Sequence, residues 1–350
     1  MAGAVQAELD AAYADLAASR FGEAVRRLQA AAAADPDSAP AQHACGAVLQ
    51  NLARPDLAEP YLRRALALAP DSAPTKVVLS FVLLTRGAYD EAWPLYRARA
   101  ELPENVARRP GLDCPEWRGE PLAGKRLLIW PDEGYGDQIM FFRFAQALRA
   151  QGADLVLACG PALQRLFAAN LDAPVVPLAE TMAFPQPDVW TWSGALPGLA
   201  GLRPETGPVP PYLAAPGVRD AGARIGVAAR GNPANATDVH RSLPRAQAAR
   251  LLALPGAISL DPQDTGAPDF AETAAIVAGL DLVIAVDTAV AHLAAALGKP
   301  TWILLPVIGL DWRWGLGERA PWYPQARLFR QPRINDWGAV IDAVAAAATR

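Results

Sequence analysis

Two hydrophobic rhythms divide this chain. Over the first hundred residues apolar positions recur three and four apart, as in Ala41–Asn51 and Leu57–Leu68. That spacing gives a helix one buried stripe. From Gly124 onward the rhythm changes to short, continuous apolar runs: Gly124–Trp130, Asp154–Cys159, Pro174–Leu178, Arg224–Arg230, Ala257–Leu260, Leu282–Val286 and Thr301–Leu305. Runs of this length, apolar on both faces, read as buried parallel strands. Between them lie helical patterns at Ile139–Ala150, Pro161–Asn170, Arg245–Leu254, Phe270–Ala278 and Ala289–Leu297, with a last one at Asp336–Ala348. Alternation of strand and helix predicts doubly wound parallel sheets. Proline-rich stretches at Leu102–Leu122 and Ala179–Pro216 read as linkers, so the α/β part is expected as two halves.

The helical region is periodic at a longer range. Ala24, Ala58 and Ala92 are spaced by 34 residues, as are Pro36 and Pro70, and DPDSAPA nearly repeats as APDSAPT. Gly46 stands at a second helix crossing, with Ala12 and Ser80 in its place in the flanking units. Small residues at these positions let paired helices approach closely. This period resembles tetratricopeptide repeats, with about two and a half to three units from Val5 to roughly Ala100, near the minimum of ~3 a solenoid needs. Such a module binds polypeptide in its groove or packs on a neighbouring domain. His43 and the arginines Arg20, Arg26, Arg27, Arg63 and Arg64 are read as packing and solvated helix-face residues.

Composition narrows the function classes. The 350 residues are 52% hydrophobic with a net charge of −4, which argues against a nucleic-acid surface. Cys45, Cys114 and Cys159 are scattered, with no paired metal-ligand spacing, and fit idle thiols in a reducing compartment. No basic leader followed by an apolar core opens the chain, and no apolar run reaches the ~20 residues of a membrane span. A cytoplasmic location is the expectation.

Candidate chemistry gathers where strands give way to helices. After the strand Leu282–Val286, Asp287 and Thr288 stand at a helix start, and Gly298 and Pro300 end the helix. A helix N-terminus at the carboxyl end of a strand is a ready anion site. Thr288 is expected to cap this helix and reach a phosphate, Asp287 to orient or cap, and Lys299 to be solvated. His292 lies one turn further on the same face, as a ligand contact or a structural histidine. In PDEGYGDQ, Gly134 and Gly136 permit tight turns beside a ligand, and Asp137 follows; a helix-capping role is its plain alternative. Asp132 and Glu133 add nearby carboxylates. The loop RGNPANATDVHRSLP offers Arg230, Asn232, His240, Arg241 and Ser242 as donors for phosphate oxygens. Its plain alternative is a surface loop with an Asp238–Arg241 ion pair. Trp312, Trp314, Trp322 and Tyr323 either stack on a base or sugar or pack, and Arg313 pairs with Asp311 or Glu318. The three histidines are not paired at metal-ligand spacing, and the glycine loop lacks the Lys-Ser/Thr ending of a kinase P-loop.

Four segments in order carry a resemblance: GKRLLIWPDEGYGDQ, RGNPANATDVHRSLP, VDTAVAHLAAALGKP and DWRWGLGERAPWYPQARLFRQ. With the repeats before them, the chain resembles bacterial tetratricopeptide-repeat proteins bearing a glycosyltransferase domain of the heptosyltransferase (family 9) type, distantly related to protein O-GlcNAc transferases. The resemblance departs at Ala289, where many relatives carry Gly or Ser. It implies a tetratricopeptide module at 1–105 and a GT-B pair of Rossmann-like halves, 106–215 on the acceptor side and 216–350 on the nucleotide-sugar side. The last helix is expected to cross back onto the first half. It further implies Asp137 as the general base, with Gly134, Gly136, Arg230, Asn232, His240, Arg241, Ser242, Asp287, Thr288, Ala289 and His292 around the donor. The expected reaction transfers a sugar from a nucleoside-diphosphate-sugar, a substrate rather than a cofactor, to an acceptor hydroxyl, inverting and without a metal. The alternatives are a non-catalytic repeat scaffold with a degenerate transferase domain, and hydrolysis or epimerisation of a nucleotide sugar on the same fold.

Overall fold

A computed structural model describes residues 2–131, 134–179, 182–235 and 237–348. These form two units, Met1–Ala107 with Val307–Leu316, and Arg108–Pro306 with Gly317–Arg350.

The first unit contains three helix pairs: α1 (Ala2–Ala17) with α2 (Phe21–Ala34), α3 (Ala39–Asn51) with α4 (Pro55–Leu68), and α5 (Ala73–Thr85) with α6 (Tyr89–Tyr96). A 3-10 turn and the short α7 (Pro103–Val106) follow. The repeated Asp-Ser-Ala-Pro text is a start signal. Ser38 and Ser72 cap α3 and α5, each hydroxyl accepting the N–H three residues on, Ala41 and Thr75. Pro40 and Pro74 follow inside the first turn, where a missing N–H costs nothing. The periodic crossing positions Ala24, Ala58 and Ala92, and their counterparts Ala12 and Ser80, are all 0% exposed. At Gly46 a Cβ would stand 2.5 Å from Leu62 Cγ and 3.1 Å from the Ala58 carbonyl oxygen. Alanine there would gain up to ~1 kcal/mol of helix propensity but overpack by ~1–3 kcal/mol. Gly46→Ala is therefore expected to lower the urea midpoint of the repeat unit; an unchanged or raised midpoint would show that the crossing has room to spare.

Arg20 and Arg27 pair with Asp15 at 2.7 and 2.9 Å, and Arg63 with Glu59 and Glu91 at 2.9 and 2.5 Å. The helix faces are thus laced by ion pairs as well as solvated. His43 Nδ1 meets Thr75 Oγ1 at 3.1 Å, a packing contact between units. Residues 307–316, which the sequence assigned to the C-terminal half, belong to this unit. Gly309 N–H donates to the Asn51 carbonyl at 2.8 Å and Gln50 Nε2 to the Leu310 carbonyl at 3.1 Å.

The second unit contains two sheets. The first holds β1 (Arg126–Trp130), β2 (Asp154–Cys159), β3 (Val175–Pro177) and β4 (Val189–Trp192), all parallel, in the order β3-β2-β1-β4. Its helices are α8 (Tyr135–Ala150), α9 (Gln164–Ala168) and α10 (Leu196–Leu199). The second sheet runs β6-β5-β7-β8-β10-β9, from β5 (Ile225–Ala228), β6 (Ala257–Ser259), β7 (Leu282–Val286), β8 (Thr301–Leu305), β9 (Arg319–Ala320) and β10 (Tyr323–Arg330). Only the β9–β10 pair is antiparallel. Its helices are α11 (Asp238–Arg241), α12 (Arg245–Leu252), α13 (Pro262–Thr265), α14 (Phe270–Ala278), α15 (Ala289–Ala296) and α16 (Trp337–Ala348). This is the expected helical-repeat plus two-sheet α/β fold.

Three expectations are corrected. The stretch read as a linker contains β4, which pairs with β1, and Tyr212 and Leu213 donate to the Ala296 carbonyl at the end of α15. The helix α16 packs on its own sheet rather than crossing back. Trp337, Val340, Ile341 and Val344 share a buried cluster with Val227, Ile284, Leu304 and Phe329. Lys299 is half-buried, its ammonium donating to the carbonyls of Ala278 and Leu280 at 2.6 and 2.9 Å. The cysteines are free; burial pushes the Cys45 thiol up to about 11 and Cys159 up to about 12, which keeps both unreactive.

Candidate functional site

Sheet topology decides where a ligand would sit. In the second sheet the strand order reverses between β5 and β7, and in the first between β1 and β4. Crevices open at the carboxyl ends of strands at such reversals. The described residues that leave there belong to segments the sequence singled out: Pro131 and Gly134 after β1, 229–235 after β5, and 287–288 after β7.

The glycine loop feeds the helix earlier than its periodicity implied. The helix α8 starts at Tyr135, not Ile139, with Gly134 as its N-cap in extended conformation (φ −67°, ψ 177°) and no side-chain cap. Gly136 and Asp137 therefore lie in the first helical turn, Asp137 three residues past the cap rather than at it. A carboxylate in a first turn is favoured by the helix dipole. Asp137 is half-buried, its Oδ2 3.5 Å from where a Gly134 Cβ would be. Asp132 and Glu133 lie outside the described residues.

Gly136 joins the two halves. A Cβ on it would stand 2.8 Å from His292 Cδ2, 3.4 Å from His292 Nε2 and 3.5 Å from the Ala289 Cα. The first turn of α8 thus packs against the start of α15, and a side chain at 136 would collide with the buried His292 ring. The structure thus brings Gly134, Gly136 and Asp137 together with Asp287, Thr288, Ala289 and His292. Thr288 occupies the N-cap of α15 but makes no capping hydrogen bond, and its Oγ1 is buried without a partner among the described residues. An unmade bond of this kind costs free energy until something satisfies it. Asp287 and Ala289 are half-buried beside it.

The loop after β5 is built from its own side chains. Asp238, buried, accepts from Arg241 Nε at 2.9 Å and from Ser242 Oγ at 2.7 Å, and Ser242 Oγ accepts the Gly231 N–H at 2.9 Å. The Asp238–Arg241 pair thus forms, and Ser242 serves the loop. The terminal nitrogens of Arg241 make no hydrogen bond among the described residues. Arg230 is exposed and paired with Asp261 at 3.1 Å. Asn232 turns its Oδ1 back onto the Ala234 N–H, and His240 is half-buried on α11.

His292 is 3% exposed, its Nδ1 3.0 Å from the Tyr323 hydroxyl. From Tyr323 a polar chain continues through Tyr212 at 3.0 Å. Arg143, at 1% exposure, donates to Tyr212 Oη and to the carbonyls of Pro208 and Trp322 at 3.0–3.1 Å, with its guanidinium over both tyrosine rings. Sequence reasoning passed over Arg143 and Tyr212; an arginine inside the apolar run IMFFRFA was the available signal. The four aromatic residues near the C-terminus are all buried, Trp312, Trp314, Trp322 and Tyr323 at 3% exposure or less, so they pack. Arg313 pairs with Asp311 at 3.1 Å.

Comparison with known proteins gives a family match at one segment. Residues 265–305 match the model of Glycosyltransferase family 9 (heptosyltransferase), and so include α14, β7, α15 and β8 with Asp287, Thr288, Ala289 and His292. Protein FlbA of Caulobacter vibrioides is 25% identical, over 94% of this chain and 70% of FlbA. Among solved structures, YrrB, described as a TPR protein with an unusual peptide-binding site, is 27% identical over 29% of this chain and 52% of its own, with a TM-score of 0.26. MamA is 26% identical over 29% of this chain and 55% of its own, also at 0.26. The chain spans about half the length of these two structures. It combines tetratricopeptide-type helical repeats with an α/β unit like that of glycosyltransferase family 9.

Proposed function

We propose that the α/β unit transfers a sugar from a nucleoside-diphosphate-sugar to an acceptor hydroxyl. The observation that carries this reading is the packing of two helix N-termini, α8 and α15, at the carboxyl ends of β1 and β7. The first N–H groups of a helix find no partner inside it, and Thr288 Oγ1 lies at the N-cap of α15 with no partner among the described residues. In this reading α15 and Arg241 receive the diphosphate, Arg230 and His240 supply further positive charge or donors, and Asp287 orients the donor. Asp137 takes the acceptor proton as its oxygen attacks the anomeric carbon; the bond to the diphosphate breaks with its electron pair, and configuration inverts. Side chains and helix ends provide the charge stabilisation, so the proposal includes transfer without a metal. The helical repeats favour a polypeptide as acceptor or partner, and the proposed location is the cytoplasm.

Donor binding tests this directly. A nucleoside diphosphate at a hundred times its Kd should stabilise the α/β unit by about 2.7 kcal/mol, read as a rise in Tm. Thr288→Val should leave the unliganded Tm equal or higher, because it removes a buried hydroxyl with no partner, while weakening diphosphate binding by roughly 10–100-fold. No shift with any nucleoside diphosphate or its sugar at millimolar concentration would overturn the transferase reading. A shift that survives Thr288→Val unchanged would move the phosphate elsewhere.

A further inference from the structure

The loop that leaves β5 and leads to α12 is closed around one carboxylate. Its base is tied where the Leu243 N–H donates to the Ala229 carbonyl at 2.9 Å. Inside it, Ser242 Oγ accepts the Gly231 N–H at 2.9 Å and donates to Asp238 Oδ2 at 2.7 Å. The other carboxylate oxygen, Oδ1, accepts from Arg241 Nε at 2.9 Å. Asp238 thus takes a hydroxyl on one oxygen and a guanidinium on the other. The pair lies directly on Gly231, where a Cβ would stand 2.1 Å from Asp238 Oδ1 and 2.7 Å from Arg241 Nε. Both side chains are withdrawn from solvent, 12% exposed for Asp238 and 19% for Arg241, against 62% for Arg230 in its pair with Asp261. An exposed ion pair holds neither partner still; a withdrawn one braced by a second hydrogen bond does. The guanidinium is planar and Asp238 grips it by Nε, so its terminal nitrogens remain for an anion at the carboxyl end of β5.

We infer that Asp238 is a positioning residue for the donor diphosphate, setting the Arg241 guanidinium in place before the ligand arrives. Ser242 and the Gly231 backbone in turn hold the carboxylate. The ligand rests on the transferase reading; the geometry of the arginine does not. Two effects of the carboxylate oppose each other. A negative charge near a diphosphate repels it, so charge alone predicts that removing Asp238 tightens binding. Ordering an arginine in advance does the reverse, because that entropy no longer has to be lost on association. One such side chain is worth roughly twofold to tenfold in affinity. A carboxylate only accepts hydrogen bonds and is no partner for a phosphate, so the favourable effect of Asp238 passes through Arg241.

A double-mutant cycle reads that path. Titration calorimetry of the full chain with ADP, CDP, GDP, UDP and dTDP compares the parent, Asp238→Ala, Arg241→Ala and the double variant. For the nucleotide that the parent binds, Asp238→Ala should weaken affinity by roughly twofold to tenfold. With alanine already at 241, the same substitution should leave affinity within about twofold or tighten it, because no guanidinium is left to place. A merely structural brace would weaken binding in both backgrounds, and that result overturns the inference. So does an Asp238→Ala variant that binds as tightly as the parent or more so. Should Asp238→Ala fail to fold, Asp238→Ser carries the same cycle with the same expectations; its hydroxyl can serve Ser242 but is too short to hold Arg241 Nε. The arginine Nε–H signals of the ligand-free protein show the geometry separately, assigned by their loss in Arg241→Ala and Arg230→Ala. The Arg241 hydrogen should exchange with water at least about tenfold more slowly than that of Arg230, and lose this protection in Asp238→Ala. Equal exchange in the parent overturns the positioning. A protected Arg241 in a protein that binds none of the five nucleotides overturns the transferase reading, and the role in binding with it, while the held guanidinium stands.

Discussion

Asp137→Asn is expected to reduce sugar transfer by about 10²–10⁴-fold, the range for removing a general base, while donor binding and Tm stay near those of the parent. Asparagine matches aspartate in shape, and in the first turn of α8 it keeps a polar side chain at the helix N-terminus. What it cannot do is take a proton. The position argues for the role: Asp137 is half-buried in the turn whose neighbour, Gly136, touches Ala289 and His292 of the helix matched by the transferase family. Loss of the favourable dipole contact would cost ~0.3–1 kcal/mol of stability, small against the catalytic effect. A variant with donor affinity intact and turnover within about threefold of the parent would remove Asp137 from the mechanism, since a base is worth at least about a hundredfold. Loss of donor binding in parallel would make it a structural residue of the α8 turn.

Legibility in the sequence followed how local the physics was. The strands β2 and β8 and the helix α14 were readable to the residue, because Asp154–Cys159, Thr301–Leu305 and Phe270–Ala278 are bounded by turn residues and buried on both faces. The repeats were readable because caps recur every 34 residues, and Ser38 and Ser72 make the same bond. The strand β4 was hidden: Val189–Trp192 has four residues, lies among prolines, and is defined by its pairing with β1 rather than by its own pattern. The start of α8 was misplaced for a similar reason. Glycines at 134 and 136 read as loop, yet Gly136 is required by the approach of α15, a contact 153 positions later in the chain that no local pattern encodes. Motif and spacing put Thr288 at the start of a helix, and it occupies the N-cap of α15. The Asp238–Arg241 pair was legible only as an alternative, and the bonds of Ser242 to Asp238 and the Gly231 N–H not at all, because a donor's partner is a matter of geometry.

The segment 307–316 is the clearest case of structure exceeding sequence, and it supports the second large effect. A solenoid exposes an apolar face at its last unit and needs a cap. Here α6 has eight residues, and a 3-10 turn replaces the rest. Trp312 fills the gap, its ring edge-on to Trp93 at 5.7 Å and to Tyr96 at 6.1 Å, with Arg313 over its face at 4.6 Å. At 3% exposure it is buried with the core of the repeats. Trp312→Ala should therefore destabilise the repeat unit by about 3–5 kcal/mol, the cost of an aromatic truncated in a packed core. Trp312→Phe, which keeps an edge for Trp93 and Tyr96, should recover a large part of it. Urea unfolding followed by far-ultraviolet circular dichroism measures both, and pulse proteolysis locates the loss: cuts should appear first between Ala39 and Tyr96. A loss below about 1 kcal/mol would mean that the repeats are stable without this cover. The α/β unit, whose buried clusters lie on its own sheets, should keep its nucleoside-diphosphate response in the alanine variant, because the cap stabilises the repeats and not the site.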